Sequence, residues 1–220
     1  MRVKICGATR TAEIVALAAT GVDFVGLWHG VPGGRTELEP AQLTRLATAA
    51  LTHHLQPILV TLDPAPEKLI HSSITWLQLH GYQQPSTVKS LKANNPNTTI
   101  IKVLHIDNTN NCIERPLIRS YQRAGVDVFL LDALAADGRI GSTAQTIDPS
   151  TAERIIDLCD RPVMLAGGLT ASNSARYRQL TSHPQFFGID VDSGARGADG
   201  RIDERRVAEI RDKWTVVGSQ

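Results

Sequence analysis

Cysteine is scarce in this chain: three in 220 residues, at Cys6, Cys112 and Cys159. Thiols so widely spaced form neither a disulfide framework nor a zinc cluster. Net charge is also small, with 23 lysines and arginines against 22 aspartates and glutamates. Such a balance gives no long-range field for a polyanion or a lipid surface, so it speaks against nucleic acid and membrane as partners. It leaves room for one local phosphate pocket. No apolar run approaches the roughly 20 residues of a membrane span. The opening MRVKICGATR lacks the long apolar segment of a secretory signal, and a cytoplasmic location is expected. No linker or low-complexity stretch divides the chain, so residues 1–220 read as one domain.

What the sequence does contain is an alternation. Short β-branched apolar runs lie at 3–6, 23–28, 57–62, 76–80, 99–106, 127–132, 162–166 and 186–192. Between them lie helix-like segments at 11–20, 40–53, 64–72, 84–94, 113–124, 149–159, 171–180 and 204–213, several opening on proline or a capping residue. Runs such as IIKVL and FLL are continuously apolar, as strands buried on both faces should be. Eight strand–helix alternations predict an α/β fold, a single closed (β/α)₈ TIM barrel, over an open doubly wound sheet. The polar connections 29–39 and 133–148 are the longest, and long loops in compact domains are often lids.

In a parallel barrel the carboxyl ends of the strands carry the chemistry. Strand one ends in Cys6-Gly7, and strand two leads through Trp28-His29 to Arg35. Strand four ends in Gln78-Leu79-His80-Gly81, strand six in Asp132, strand seven in Ala166-Gly167-Gly168, and strand eight in Asp190-Val191-Asp192-Ser193-Gly194. A thiol, an arginine, a histidine and a carboxylate thus converge on one face. The glycine turns after strands seven and eight let backbone N–H groups approach an anion, so Gly167, Gly168, Ser193 and Gly194 are candidate phosphate ligands. Gly141, in the loop after strand six, joins them as a candidate. Trp28 and Trp76 read as core or pocket wall. His53, His54, Cys112 and Cys159 receive no role.

KICG at 4–7, QLHG at 78–81, LLD at 130–132, LAGGL at 165–169 and DVDSG at 190–194 occur in that order along nearly the whole chain. Together they resemble the ordered motifs of the phosphoribosylanthranilate isomerase family. The resemblance implies a (β/α)₈ barrel that needs no metal and no organic cofactor. It also implies an Amadori rearrangement in tryptophan biosynthesis, with a small phosphoribosyl substrate and a monomeric or homodimeric enzyme. By motif the catalytic base falls on Cys6, the acid on Asp132 and the anthranilate-side arginine on Arg35, with His80 a further substrate-binding candidate. The chemistry suits these residue types. An acid must protonate the sugar ring oxygen, and a carboxyl group in a buried site can keep the proton for that step. A base must then take the C2 proton, and a thiol is suited to it in an electropositive site.

The chain also departs from the family pattern. A Ser-Pro-Arg-like turn after strand two is replaced by Pro32-Gly33-Gly34-Arg35, and Gly-Val-Phe after strand three by Leu59-Val60-Thr61. After strand six, Asp137-Gly138-Arg139-Ile140-Gly141 leads to Gln145-Thr146-Ile147-Asp148, without the usual aromatic residue. After strand eight, Asp192 replaces a serine, and Ala195-Arg196 replaces Val-Glu. Asp192 is expected to weaken a phosphate site unless Arg196 or Arg139 compensates. The walls around the aromatic half of the substrate therefore differ. Two further readings stand beside the first: a diverged relative acting on another phosphoribosyl amine, and an inactive phosphosugar-binding barrel.

Overall fold

A computed structural model of the chain describes residues 1–63, 65–66, 73–134 and 145–217. Eight parallel strands close into a barrel in chain order: β1 (Arg2–Cys6), β2 (Phe24–Trp28), β3 (Gln56–Thr61), β4 (Trp76–Leu79), β5 (Thr99–Ile106), β6 (Val128–Ala133), β7 (Val163–Leu165) and β8 (Phe186–Val191). β8 pairs with β1 through Arg2↔Gly188 to Ile5↔Val191, which closes the ring. The helices among the described residues are α1 (Thr11–Thr20), α2 (Pro40–Thr52), α3 (Pro85–Asn94), α4 (Ile118–Ala124), α5 (Pro149–Ile156), α6 (Arg178–Thr181) and α7 (Glu204–Val217).

Local chemistry sets their ends. Proline opens α2, α3 and α5, where its missing N–H costs nothing. Asp148 caps α5 by accepting from the Ser150 and Thr151 amides. Gly21 and Gly125 end α1 and α4 in the left-handed conformation.

Two helices are shorter than the sequence pattern suggests. The expected helix 171–180 is a 3₁₀ turn at Ser174–Tyr177 followed by the single turn of α6. The side chains of Thr170, Asn173 and Ser174 bond to nearby backbone and compete with helix formation. The expected helix 113–124 starts only at Ile118, because Pro116 holds the preceding residues in a 3₁₀ turn. The helix expected over 64–72 lies outside the described residues apart from Ala65 and Pro66.

Strand parity divides the core in two. Ile5, Val25, Leu77, Leu104, Leu131 and Ile189 face outward and pack under the helices. Cys6, Phe24, Ile58, Val60, Ile101, Val103, Leu130, Met164 and Ala166 fill the barrel itself. The inward positions then stack in layers, as closed barrels require. Lys4, Gln78 and Asp190 share the inward parity of this interior set, one step below Cys6, His80, Asp132 and Asp192 at the mouth.

Candidate active site

The barrel interior changes character with height. Below, it is hydrocarbon. One layer under the mouth it holds an ammonium, a carboxylate and an amide. Lys4 is fully buried, and its Nζ donates to Asp190 Oδ2 at 2.6 Å, to Gln78 Oε1 at 2.7 Å and to Cys6 Sγ at 3.5 Å. Burial alone would push the Lys4 ammonium down, but Asp190 and Cys6 outweigh it and hold it above the ordinary lysine value. Burial pushes the Asp190 carboxyl up, Lys4 pulls against that, and Asp132 adds to it. Asp190 Oδ1 is buried with no hydrogen-bond partner among the described residues, an acceptor suited to a hydroxyl.

Cys6 ends β1 between two donors. The Trp28 indole N–H donates to its sulfur at 3.0 Å, and Lys4 approaches from below. Burial pushes the thiol up to about 12; Lys4 and the Trp28 bond pull it down, while Asp190 and Asp192 push it up. The electropositive surrounding expected from sequence is thus mixed, one ammonium against two carboxylates. The resting sulfur is a thiol. Space for it depends on Gly26, the neighbouring residue on β2, where any Cβ would stand 2.5 Å from Sγ.

Asp132, next to last in β6, lies in the same inward layer, and His80 Nε2 stands 3.3 Å from its Oδ2 without the alignment of a hydrogen bond. The tautomer of His80 follows from its other neighbour. Gln78 uses Oε1 to accept from Lys4, so its amide nitrogen faces His80 Nδ1, 2.8 Å away. An amide NH₂ can only donate, which puts the His80 ring proton on Nε2, toward Asp132. The turn carrying His80 is braced from behind. His105 Nε2 contacts the His80 carbonyl at 3.0 Å, and His105 Nδ1 meets Glu114 Oε1 at 2.6 Å. Lys102, fully buried, donates to the Gly81 carbonyl at 2.8 Å.

Arg35 and the β8 end meet across the mouth. Arg35 Nη2 pairs with Asp192 Oδ2 at 2.5 Å, and Arg196 Nε pairs with Asp192 Oδ1 at 2.7 Å. Arg196 also donates to the carbonyls of Cys6 and Gly7 at 3.1 and 3.0 Å, tying the β8 turn to the end of β1. Asp192, expected to weaken a phosphate site, is thus paired with both Arg35 and Arg196. Arg139 and Gly141, and with them most of the loop 133–148, lie outside the described residues. The two glycine turns come together: a Cβ on Gly194 would collide with the Leu169 carbonyl. Gly167 and Gly168 both take positive φ, and Asn173 secures their turn by donating to the Gly168 carbonyl at 2.9 Å. Gly167, Gly168, Ser193 and Gly194 therefore border one part of the mouth, none of them fully buried.

Lys4, Gln78 and Asp190 stand within the sequence motifs but received no role there, and Trp28 was read as core or pocket wall. A signal existed for three of them: a lysine inside the apolar run VKIC, an amide inside WLQL and a carboxylate inside FFGIDV are polar residues in runs buried on both faces. For Trp28 the signal was only its parity with Phe24 and Gly26. The arrangement suits proton transfer at a bound sugar, with a thiol and a carboxyl group in one layer and donors for an anion at one side.

The comparisons agree. The family model for N-(5'-phosphoribosyl)anthranilate (PRA) isomerase matches residues 3–213. N-(5'-phosphoribosyl)anthranilate isomerase 2 of Methanosarcina mazei is 32% identical over 214 residues, covering 94% of this chain and 91% of the relative. The fold superposes with a TM-score of 0.76 on monomers generated from the dimeric phosphoribosylanthranilate isomerase of Thermotoga maritima. That structure is 21% identical, and the match covers 98% of this chain and 99% of the other. A second solved phosphoribosylanthranilate isomerase holds reduced 1-(o-carboxyphenylamino)-1-deoxyribulose 5-phosphate; it gives a TM-score of 0.74 at 22% identity, with 98% and 99% coverage. Motifs, barrel and relatives thus converge, and this chain belongs to the N-(5'-phosphoribosyl)anthranilate isomerase family.

Proposed function

We propose that the barrel mouth isomerises N-(5-phosphoribosyl)anthranilate to 1-(2-carboxyphenylamino)-1-deoxyribulose 5-phosphate in tryptophan biosynthesis, with Asp132 as acid and Cys6 as base. The observation that carries this is the presence of both groups in one inward layer, toward the ends of β6 and β1, with the Trp28 indole N–H directed at the sulfur and His80 Nε2 standing 3.3 Å from the carboxyl group. Asp132 protonates the ring oxygen, the C1–O bond opens with help from the nitrogen lone pair, and an iminium forms. Cys6, after giving up its own proton to solvent, takes the C2 proton as the thiolate and becomes a thiol again, while the C–H electrons flow into the iminium to give an enolamine, which tautomerises to the ketone. The substrate's own iminium is the electron sink, so no cofactor or metal is required. The resting thiol, at about 12, is a weak donor of its own proton. The positive charge of the iminium close by lowers the cost of forming the thiolate.

The phosphate is held by the amides and the hydroxyl of Gly167, Gly168, Ser193 and Gly194. His80 Nε2, 3.3 Å from Asp132 Oδ2 and without a hydrogen-bond partner among the described residues, borders the substrate; Arg35 faces the aromatic half. The enzyme acts in the cytoplasm as a monomer or homodimer. Turnover of N-(5-phosphoribosyl)anthranilate by Cys6→Ser and Asp132→Asn is the test. Each is expected to lose about 10²–10⁴-fold in rate, with affinity for a product analogue changed much less. Either variant folding normally and keeping its rate within about threefold of wild type would remove that residue from its role.

One observation favours a second reading. Arg35, expected to receive the anthranilate carboxylate, is engaged by Asp192. A phosphoribosyl amine whose ring lacks a carboxylate would leave that pair intact. Comparing kcat/KM for the anthranilate and aniline forms decides between the two: preference for the carboxylated amine upholds the first reading.

A further inference from the structure

We propose that Trp28 is a positioning residue for Cys6, its indole N–H and the Lys4 ammonium forming a two-donor cradle that holds the sulfur as an anion during proton transfer. The inference rests on Cys6 being the base. Its support is geometric. The Trp28 Nε1–Sγ distance is 3.0 Å and the Lys4 Nζ–Sγ distance 3.5 Å, from different strands. An indole N–H and an ammonium are donors only, so both can serve the sulfur solely as acceptor. A thiolate accepts both bonds more strongly than a thiol does, because charge on one partner strengthens the bond. Each donor is therefore worth more after the sulfur loses its proton, and the pair favours the ionised form.

The remaining charged groups at the sulfur are Asp190 and Asp192, which oppose ionisation, while Arg196 reaches only the Cys6 carbonyl. Lys4 is shared with Asp190 and Gln78, so much of its charge is already engaged. Trp28 makes no other side-chain hydrogen bond in the described structure; its N–H is directed at the sulfur. Gly26 between them leaves the sulfur free to sit against the indole edge.

The experiment reads the sulfur. In a Cys112→Ala, Cys159→Ala background, alkylation of Cys6 by iodoacetamide is followed between about pH 7 and 9, with and without Trp28→Phe. Phenylalanine keeps most of the ring but has no N–H. A tenfold loss of thiolate, partly offset by the greater nucleophilicity of a more basic sulfur, slows alkylation about threefold. At least that loss is expected, with kcat reduced more than KM is raised. Equal alkylation rates would overturn the proposal. If Trp28→Phe does not fold, the indole N–H proton resonance of Trp28 in the folded wild type replaces it. That resonance is expected to move on Cys6→Ala, and its immobility overturns the cradle. Slowed alkylation with turnover intact upholds the cradle but removes Cys6 as base. Loss of turnover in Cys6→Ser with alkylation unaffected by Trp28→Phe does the reverse.

Discussion

Two lysines in this barrel are buried without any exposed surface, and they behave in opposite ways. Lys4 lies inside the barrel with a carboxylate at 2.6 Å, and its ammonium is held above the ordinary value. Lys102 lies between the strands and the helices. Its close partners are the carbonyls of Gly81 and Val103, and its nearest carboxylate oxygen, on Glu114, is 3.9 Å away. Burial, the largest cause, pulls Lys102 down to about 8, and Glu114 recovers only part of that. Burial opposes the ammonium in both places, and the distance to one carboxylate separates the two outcomes. The difference follows function: Lys4 contacts the candidate base, whereas Lys102 fixes the turn behind His80.

The strongest way to break this comparison is to remove the Lys4 charge. Lys4→Met leaves Asp190 buried without its partner and is expected to cost about 3–5 kcal/mol in urea unfolding. Adding Asp190→Leu should recover a good part of that loss. If the single and double variants were equally unstable, the ion pair would not be what holds Lys4 in the barrel.

The next test sharpens the other half. The folded chain releases the Lys102 proton near pH 8, the unfolded chain near 10.5. Between those values the unfolded state binds more protons, so this group's contribution makes stability rise with pH. The penalty is complete below about pH 8 and relieved by pH 10.5, amounting to roughly 3 kcal/mol at about 1.4 kcal/mol per pH unit. The wild type should gain stability relative to Lys102→Met as pH is raised through this window. Parallel pH profiles would show that Lys102 stays charged throughout.

The smallest effect is expected at the rim, where neither burial nor close packing amplifies charge. Arg35 is 44% exposed, so its pair with Asp192 is screened and worth at most about 1 kcal/mol. Asp192→Ser, which frees Arg35, should therefore lower KM for the anthranilate-bearing substrate by no more than about fivefold. A rise in KM would mean that Asp192 holds Arg35 in place for the substrate.

Much of the architecture was legible before any coordinates. Apolar runs such as VFLL and ILV carry the periodicity of strands buried on both faces, and proline at 40, 85 and 149 marks helix starts that the structure keeps. Placement of Cys6 and Asp132 at strand ends also followed from the runs alone, because parallel topology puts those ends on one face. Helix length was less legible at 171–180, where Ser and Asn side chains won the competition for backbone groups.

The sequence by itself determined the ring of eight strands and which residues reach its mouth, since both depend on local periodicity and chain order. Only the tertiary structure decided the partners. Lys4 meets Asp190 across 186 positions of sequence, and Arg35 meets Asp192 across 157. The opposing pulls on the Cys6 sulfur, the tautomer of His80 and the neutralisation of Arg35 all depend on such pairs, and the burial that pushes the thiol up depends on the closed barrel. Electrostatic energies fall with distance through a local dielectric, and neither quantity exists until the barrel has closed.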